Sequence, residues 1–355
     1  PKTVEFERMF ASYIFKDVNS PIVYNTEFVH AISLNSATAA LHLALKAIGI
    51  KDGDEVILPT NTFVATAEVV TYFNAVPVLC DIEYDTHNMD VNKLESLITE
   101  KTKAIIPVHF AGQPCDMDEI MDMAIKYKLK VIEDAAHALP SFYKGRKIGL
   151  IGDISCFSFY ATKTMSTGEG GMAVTNNSEY AKKIRINRLH GISKDAWDRY
   201  SDKGNWYYEV VDNGNKYNTT DLNSALGIEQ LKKLEDMNKR RDEIASMYNT
   251  AFKENKNIIT PFVKEDRETS WHLYVIKVNN RNKTIKKLKD LGVSTSVHFI
   301  PVHKHPYYKN TYKYENDDYP VANKVYEESI SLPIYPDLSD DEVKYIIEKV
   351  VEIAK

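Results

Sequence analysis

The chain has 355 residues, 43% hydrophobic and 27% charged, with 14 glycines and 13 prolines: a globular composition, long enough to bury a large core. Its net charge of −5, from 45 basic and 50 acidic residues with no basic block, argues against a nucleic-acid partner. No apolar run reaches the ~20 residues that span a bilayer, and no signal-peptide pattern opens the chain; three cysteines without a CxxC leave one unpaired under any disulfide scheme, so the expectation is a reduced, cytoplasmic protein with no membrane contact.

In chain order, the first half alternates helical patterns with short, almost continuously apolar runs. Helices are predicted at 37–48, 62–73, 91–99 and 117–127, and strands at 55–60, 77–82, 104–110, 130–135 and 154–159. Apolar character without alternation marks strands covered on both faces, so the βα rhythm predicts a doubly wound, mainly parallel sheet. From 221 to about 254 an apolar stripe of Leu222, Leu226, Ile228, Leu231 and Leu234 predicts a long helix. A strand at 271–278, a helix at 283–291, a strand at 293–299 and a closing helix from Ser339 then read as α+β. We place a large α/β domain at 1–239 and a smaller C-terminal α+β domain at 240–355.

The segment from Val131 to Met172 carries the chemistry. A strand ends in two carboxylates, Glu133 and Asp134; a second, ending in PheSerPhe at 157–159, leads into TyrAlaThrLysThr and the glycine-rich loop at 168–171. Ligands of open α/β sheets gather beyond the carboxyl ends of strands, which puts Asp134 and Lys163 on one rim. A buried amine beside a carboxylate suggests pyridoxal 5′-phosphate (PLP), which takes a lysine as a Schiff base and an acid to keep its ring nitrogen protonated. Ser36-Ala37-Thr38 opens a helix whose N–H groups suit the phosphate, with the Ser158 hydroxyl on the same rim. Taken singly these features have bland readings: a strand-end cap, a solvated lysine, an ordinary N-cap. A nicotinamide enzyme is disfavoured because no GxGxxG follows the first strand, and His298, His303 and His305 fit no zinc spacing, so no metal is expected.

Several long motifs, in order, resemble the DegT/StrS family of PLP-dependent sugar-nucleotide aminotransferases. They are NSATAALHLAL (35–45), GDEVILPTNTFVATA (53–67), TKAIIPVHFAGQPCDMD (102–118), VIEDAAHA (131–138), YKGRKIG (143–149) and FSFYATKTMSTGEGGM (157–172). VNSPIVYNTEF (18–28) looks like an insertion. The resemblance implies the fold-type I PLP domain with a small C-terminal domain. It implies Lys163 as the residue that forms the Schiff base and moves the proton, and Asp134 as the partner of the pyridinium nitrogen. His137 and Phe63 would lie against the ring. Ala37, Thr38 and Ser158 would hold the phosphate, and Asn218 would reach the phosphate of a neighbouring subunit, so that a homodimer shares its active sites. Members that dehydrate sugars have histidine at the lysine position; Lys163 therefore favours transamination.

The second half, in HGISKDAWDRY (190–200), WYYEVV (206–211), KYNTTDLNSALGIEQLKKLE (216–235), STSVHF (294–299) and SLPIYPDLSDDEV (331–343), looks most like the branch that makes UDP-4-amino-4-deoxy-L-arabinose. This implies L-glutamate as donor and a UDP-linked 4-keto sugar as acceptor, with His298 and Phe299 facing the sugar; the plain alternative makes these two strand-end packing residues. Two other readings stay open: a 3-keto or 4-keto-6-deoxy sugar on UDP, dTDP or GDP, and a PLP-binding regulator without catalysis.

Overall fold

A computed structural model of the chain describes residues 1–15, 29–193 and 207–354. The 18–28 stretch, and most of the 190–200 motif together with Trp206, lie outside the described residues.

Seven strands form the main sheet: β1 (His30–Leu34), β2 (Glu55–Pro59), β3 (Val76–Cys80), β4 (Thr102–Ile105), β5 (Lys130–Asp134), β6 (Ile154–Ser158) and β7 (Gly171–Thr175). Their spatial order is β1-β7-β6-β5-β4-β2-β3. Pairing is parallel from β6 through β5, β4 and β2 to β3, while β7 runs antiparallel to both its neighbours. The five predicted strands are all present. β1 and β7 were not foreseen: β1 is a five-residue run, and β7 begins inside the glycine-rich segment that reads as loop.

Alternation along the strands explains the apolar runs. Ile57, Ile105 and Val131 join one buried cluster with Phe6 and Phe10 of α1 (Lys2–Phe15), while Val56, Ala104 and Ile132 join a second with Leu41 and Leu45 of α2 (Ala37–Ile48). Both faces are thus dry, and burying a side chain such as Phe10 is worth about 1.5–3 kcal/mol. Helix α2 starts at its N-cap Ser36, whose hydroxyl accepts from the Ala39 N–H, and stops at Gly49, where φ of 89° suits glycine. Helices α3 (Ala65–Thr71), α4 (Met117–Tyr127) and α5 (Ser178–Asn187) complete this half.

The long helix α6 (Asp221–Phe252) serves two cores. Ile228, Leu231 and Leu234 pack with α1, whereas Ile244, Ala245, Tyr248 and Phe252 pack with a three-stranded antiparallel sheet of β8 (Ile258–Ile259), β9 (Tyr274–Val278) and β10 (Ser329–Leu332). Helices α7 (Arg281–Asp290) and α9 (Asp340–Ile353) pack beside that sheet, the latter opened by a capping box of Ser339 and Glu342. Between them, Val302, Tyr308 and Tyr319 pack back on the main sheet, together with Ala322 and Val325 of α8 (Pro320–Glu328).

The strand expected at 293–299 does not form. Only Ser296 pairs with Ser331, by two backbone hydrogen bonds of 3.3 and 2.8 Å, after which the chain leaves the sheet. The third strand of the small sheet is β10 instead.

Candidate active site

A cavity of about 1090 Å3, counting its open mouth, lies at the carboxyl ends of the parallel strands. Ala37, Thr38, Phe63, Asp134, His137, Ser158, Lys163, His298 and Phe299 all line it, so nine of the ten residues selected from the sequence meet at one place. They come from a helix start, four loops and two strand ends, and only the sheet brings them together.

Glu133 and Asp134 are adjacent, and the pleat of β5 sends them to opposite faces. Glu133 is buried away from the cavity. It accepts from His109 Nε2 at 3.1 Å, the Ile151 N–H at 3.2 Å, the Gly152 N–H at 2.8 Å and Ser155 Oγ at 2.6 Å. Burial pushes its carboxyl up, but these donors outweigh it and the net shift is downward. Asp134 faces the cavity. The Thr66 hydroxyl donates to Oδ2 at 2.8 Å and the Ala136 N–H to Oδ1 at 3.1 Å. Burial pushes Asp134 up, and Thr66, Ala136 and the charge of Lys163 pull back only part of the way. A cation arriving in the cavity would favour its ionised form.

Lys163 follows β6 on a turn held by its own N–H to the Tyr160 carbonyl at 2.9 Å. Burial brings its ammonium down to about 8, while Asp134 acts in the opposite sense. A neutral amine, the form that can attack a carbonyl, is therefore accessible near neutral pH.

The start of α2 forms another part of the lining. The helix offers no carbonyl to the N–H groups of Ala37 and Thr38, so these donors face the cavity with the positive end of the helix dipole. Gly171 permits this arrangement: a Cβ there would lie 2.4 Å from the carbonyl carbon and oxygen of Ser36 and 2.6 Å from the Ala37 nitrogen. β7 passes that close to the helix start because residue 171 has no side chain.

The chain matches the DegT/DnrJ/EryC1/StrS aminotransferase family over residues 1–351. The protein belongs to this family. It is 50% identical to the spore coat polysaccharide biosynthesis protein SpsC of Bacillus subtilis, over all of this chain and 90% of SpsC. Spr1654 of Streptococcus pneumoniae, solved in its PMP form, superposes with a TM-score of 0.91 at 36% identity, covering 100% of this chain and 92% of that one. Helicobacter pylori PseC, an aminotransferase involved in the biosynthesis of pseudoaminic acid, gives 0.88 at 30% identity over 99% and 91% of the two chains.

This aminotransferase is PLP-dependent, and its cavity suits the cofactor: a buried amine, an anchored carboxylate, and a helix start opened by Gly171. PLP, when bound, supplies an electron sink for the carbon that loses its proton. Lys163 and Asp134 are the side chains that would hold it, and the start of α2 would receive its phosphate.

Several lining residues escaped the sequence reading. Thr66 could have been found, since it falls in the quoted TFVATA motif one helical turn from Thr62, whose hydroxyl it meets at 2.8 Å. His272 gave no signal, because 271–278 reads as one strand; that strand begins only at Tyr274, leaving His272 to reach the cavity. His137 accepts the Ala111 N–H on Nδ1 at 3.3 Å, which assigns its own proton to Nε2. Its ring stacks on Phe299 at 5.9 Å and touches His272 at 4.3 Å. Phe63 is 59% exposed at the mouth, 6.0 Å from Phe299. Asn218 does not line this cavity; it bridges to Leu34 beside the helix start, and its Oδ1 is buried without a partner among the described residues. Arg188 binds Glu7 and the Ser33 carbonyl, and His303 binds Thr60 at 2.7 Å and Asn323 at 3.0 Å, so both tie elements together away from the cavity.

Proposed function

We propose that this aminotransferase moves an amino group from L-glutamate to a 4-keto nucleotide sugar, UDP-linked, for a surface polysaccharide or glycan. The observation that carries the reading is the buried amine of Lys163 in the same cavity as the anchored carboxylate of Asp134. Lys163, once neutral, would move the proton between the amino-bearing carbon of the donor and the cofactor, and in the second half-reaction between the cofactor and the sugar carbon that comes to carry the amine. Asp134 would hold the cofactor's ring nitrogen positive, and the N–H groups of Ala37 and Thr38, with Ser158, would bind its phosphate.

The polysaccharide role finds support in the 50% identity to SpsC, and the UDP-linked 4-keto sugar in the C-terminal motifs that resemble the 4-amino-4-deoxy-L-arabinose branch. The similarity to PseC favours a second reading, a different keto sugar nucleotide. We take the working unit to be a cytoplasmic homodimer: Leu222 and Leu226 are exposed at the start of α6, and the described residues include no helix long and apolar enough to cross a membrane. In that dimer Asn218 would turn to the neighbouring site.

The deciding measurement is the visible spectrum of the purified holoenzyme with and without L-glutamate, beside Lys163→Ala. Loss of the band of the lysine-bound cofactor on adding glutamate, with no such band in the variant, supports the donor half. A panel of UDP-, dTDP- and GDP-linked keto sugars then reads the acceptor. Bound PLP that no amino acid alters would return the regulator reading to the front.

A further inference from the structure

We propose that His272 is a donor-binding residue: its imidazole, together with that of His298, receives a carboxylate of the amino-acid donor. This rests on the transaminase reading above and names a site within it.

The position of His272 is built with some effort. It follows Trp271, which sits at φ of 47°, a conformation that a bulky residue adopts only when its surroundings impose it. Those surroundings are present. The indole Nε1 donates to Asp242 at 3.0 Å, the Trp271 N–H to the Thr269 hydroxyl at 3.3 Å, and the Trp271 carbonyl accepts from Arg241 at 3.3 Å. The chain then turns His272 into the cavity wall, where it is buried against His137.

Within the protein, nothing uses its polarity. His272 makes no hydrogen bond among the described residues, and its Nδ1 is buried without a partner. A buried unpaired nitrogen costs stability that a phenylalanine of the same outline would not. Nε2 also has no protein partner, is not sealed off as Nδ1 is, and belongs to a ring on the cavity wall, so it is the nitrogen left to meet a partner that arrives with the ligand.

The charge of the wall says which partner. An amino-acid donor brings at least one carboxylate, and the lining holds no arginine and no lysine besides Lys163 among the described residues. The lining offers imidazoles instead, from His137, His272 and His298. His298 is oriented by Nδ1 against the Ser331 hydroxyl at 2.8 Å, and Arg241 stands behind His272, fixed on the carbonyls of Trp271 and Ile334. Burial, with the neighbouring charges of Lys163 and Arg241, keeps His272 neutral at rest, and a carboxylate beside it supplies the opposite field and draws a proton onto the ring.

The test follows glutamate-dependent bleaching of the holoenzyme in single-turnover mixing, for wild type, His272→Phe and His272→Gln. The expected result is a ~10- to 100-fold rise in the half-saturating glutamate concentration for His272→Phe, with the limiting rate changed less than about threefold. His272→Gln should recover part of the affinity. The PLP spectrum of both variants before mixing serves as the control for folding. Unchanged glutamate saturation in His272→Phe, with wild type responding normally, overturns the proposal; so does a fall confined to the limiting rate, which would make His272 a positioning residue for His137. A wild type that ignores glutamate but responds to another L-amino acid refutes the donor assignment alone, and the same shift in half-saturation is then expected for that amino acid.

Discussion

Replacing Gly171 by alanine tests how the cofactor cradle is built. The new Cβ would lie 2.4 Å from the Ser36 carbonyl group, about 1 Å inside ordinary contact at 3.4 Å, and its neighbours are backbone atoms that cannot rotate away. Either β7 withdraws or the first turn of α2 moves. Overpacking of this kind costs about 1–3 kcal/mol, and the displaced donors are those of Ala37 and Thr38. Lost phosphate binding of ~1.4–2.8 kcal/mol corresponds to PLP affinity weakened about 10- to 100-fold. The assay is titration of the apoenzyme with PLP, read by absorbance, beside thermal unfolding of the apo form. The reasoning fails if Gly171→Ala unfolds earlier yet binds PLP within about twofold of wild type, since the helix start would then not be the phosphate site.

Other expectations follow from the same geometry. Capture of PLP by the apoenzyme should accelerate with pH and level off above about 8, because burial lowers the Lys163 amine and only its neutral form attacks; a rate still climbing towards pH 10.5 would refute this. Asp134→Asn removes the charge that opposes that lowering, so the plateau should begin at lower pH, while glutamate bleaching slows on the order of 100-fold with the loss of the partner to the ring nitrogen. Glu133→Gln should cost about 1–3 kcal/mol in urea unfolding by mispairing the His109, Gly152 and Ser155 donors. The folded pKa of Glu133 lies below its unfolded value, so this stabilisation is present above the usual glutamate range and is lost as pH falls through the folded pKa. The gap between wild type and variant should therefore narrow in acid, and a constant gap would contradict it. Leu226→Glu should yield a monomer by light scattering if α6 joins two subunits; an unchanged mass would count against the shared-site dimer.

Much of this protein is written locally. The βα rhythm follows from strands buried on both faces, such as Val131 and Ile132 in successive positions, and the ends of α2 from Ser36 and Gly49. Lys163, Asp134 and the helix start at Ala37 stand out in the sequence because they occur together, in order and on one predicted rim, within motifs that resemble one family; each alone has an ordinary reading. What the sequence could not reveal depends on direction and distance between segments far apart in the chain. The motif names Asp134, but the turning of Asp134 into the cavity and of Glu133 to the opposite face is set by the pleat of β5 inside the finished sheet. The strand at 293–299 fails although its residues suit one, because the chain leaves the sheet edge after Ser296 to bring His298 and Phe299 to the cavity. His272 looks like one more strand residue until Trp271, tied to α6 through Arg241 and Asp242, turns it towards Lys163. Short-range physics specifies the elements and their ends, whereas the choice of which side chains meet is made by packing among separate segments, which at the cavity lie as far apart in the chain as Ser36 and Phe299.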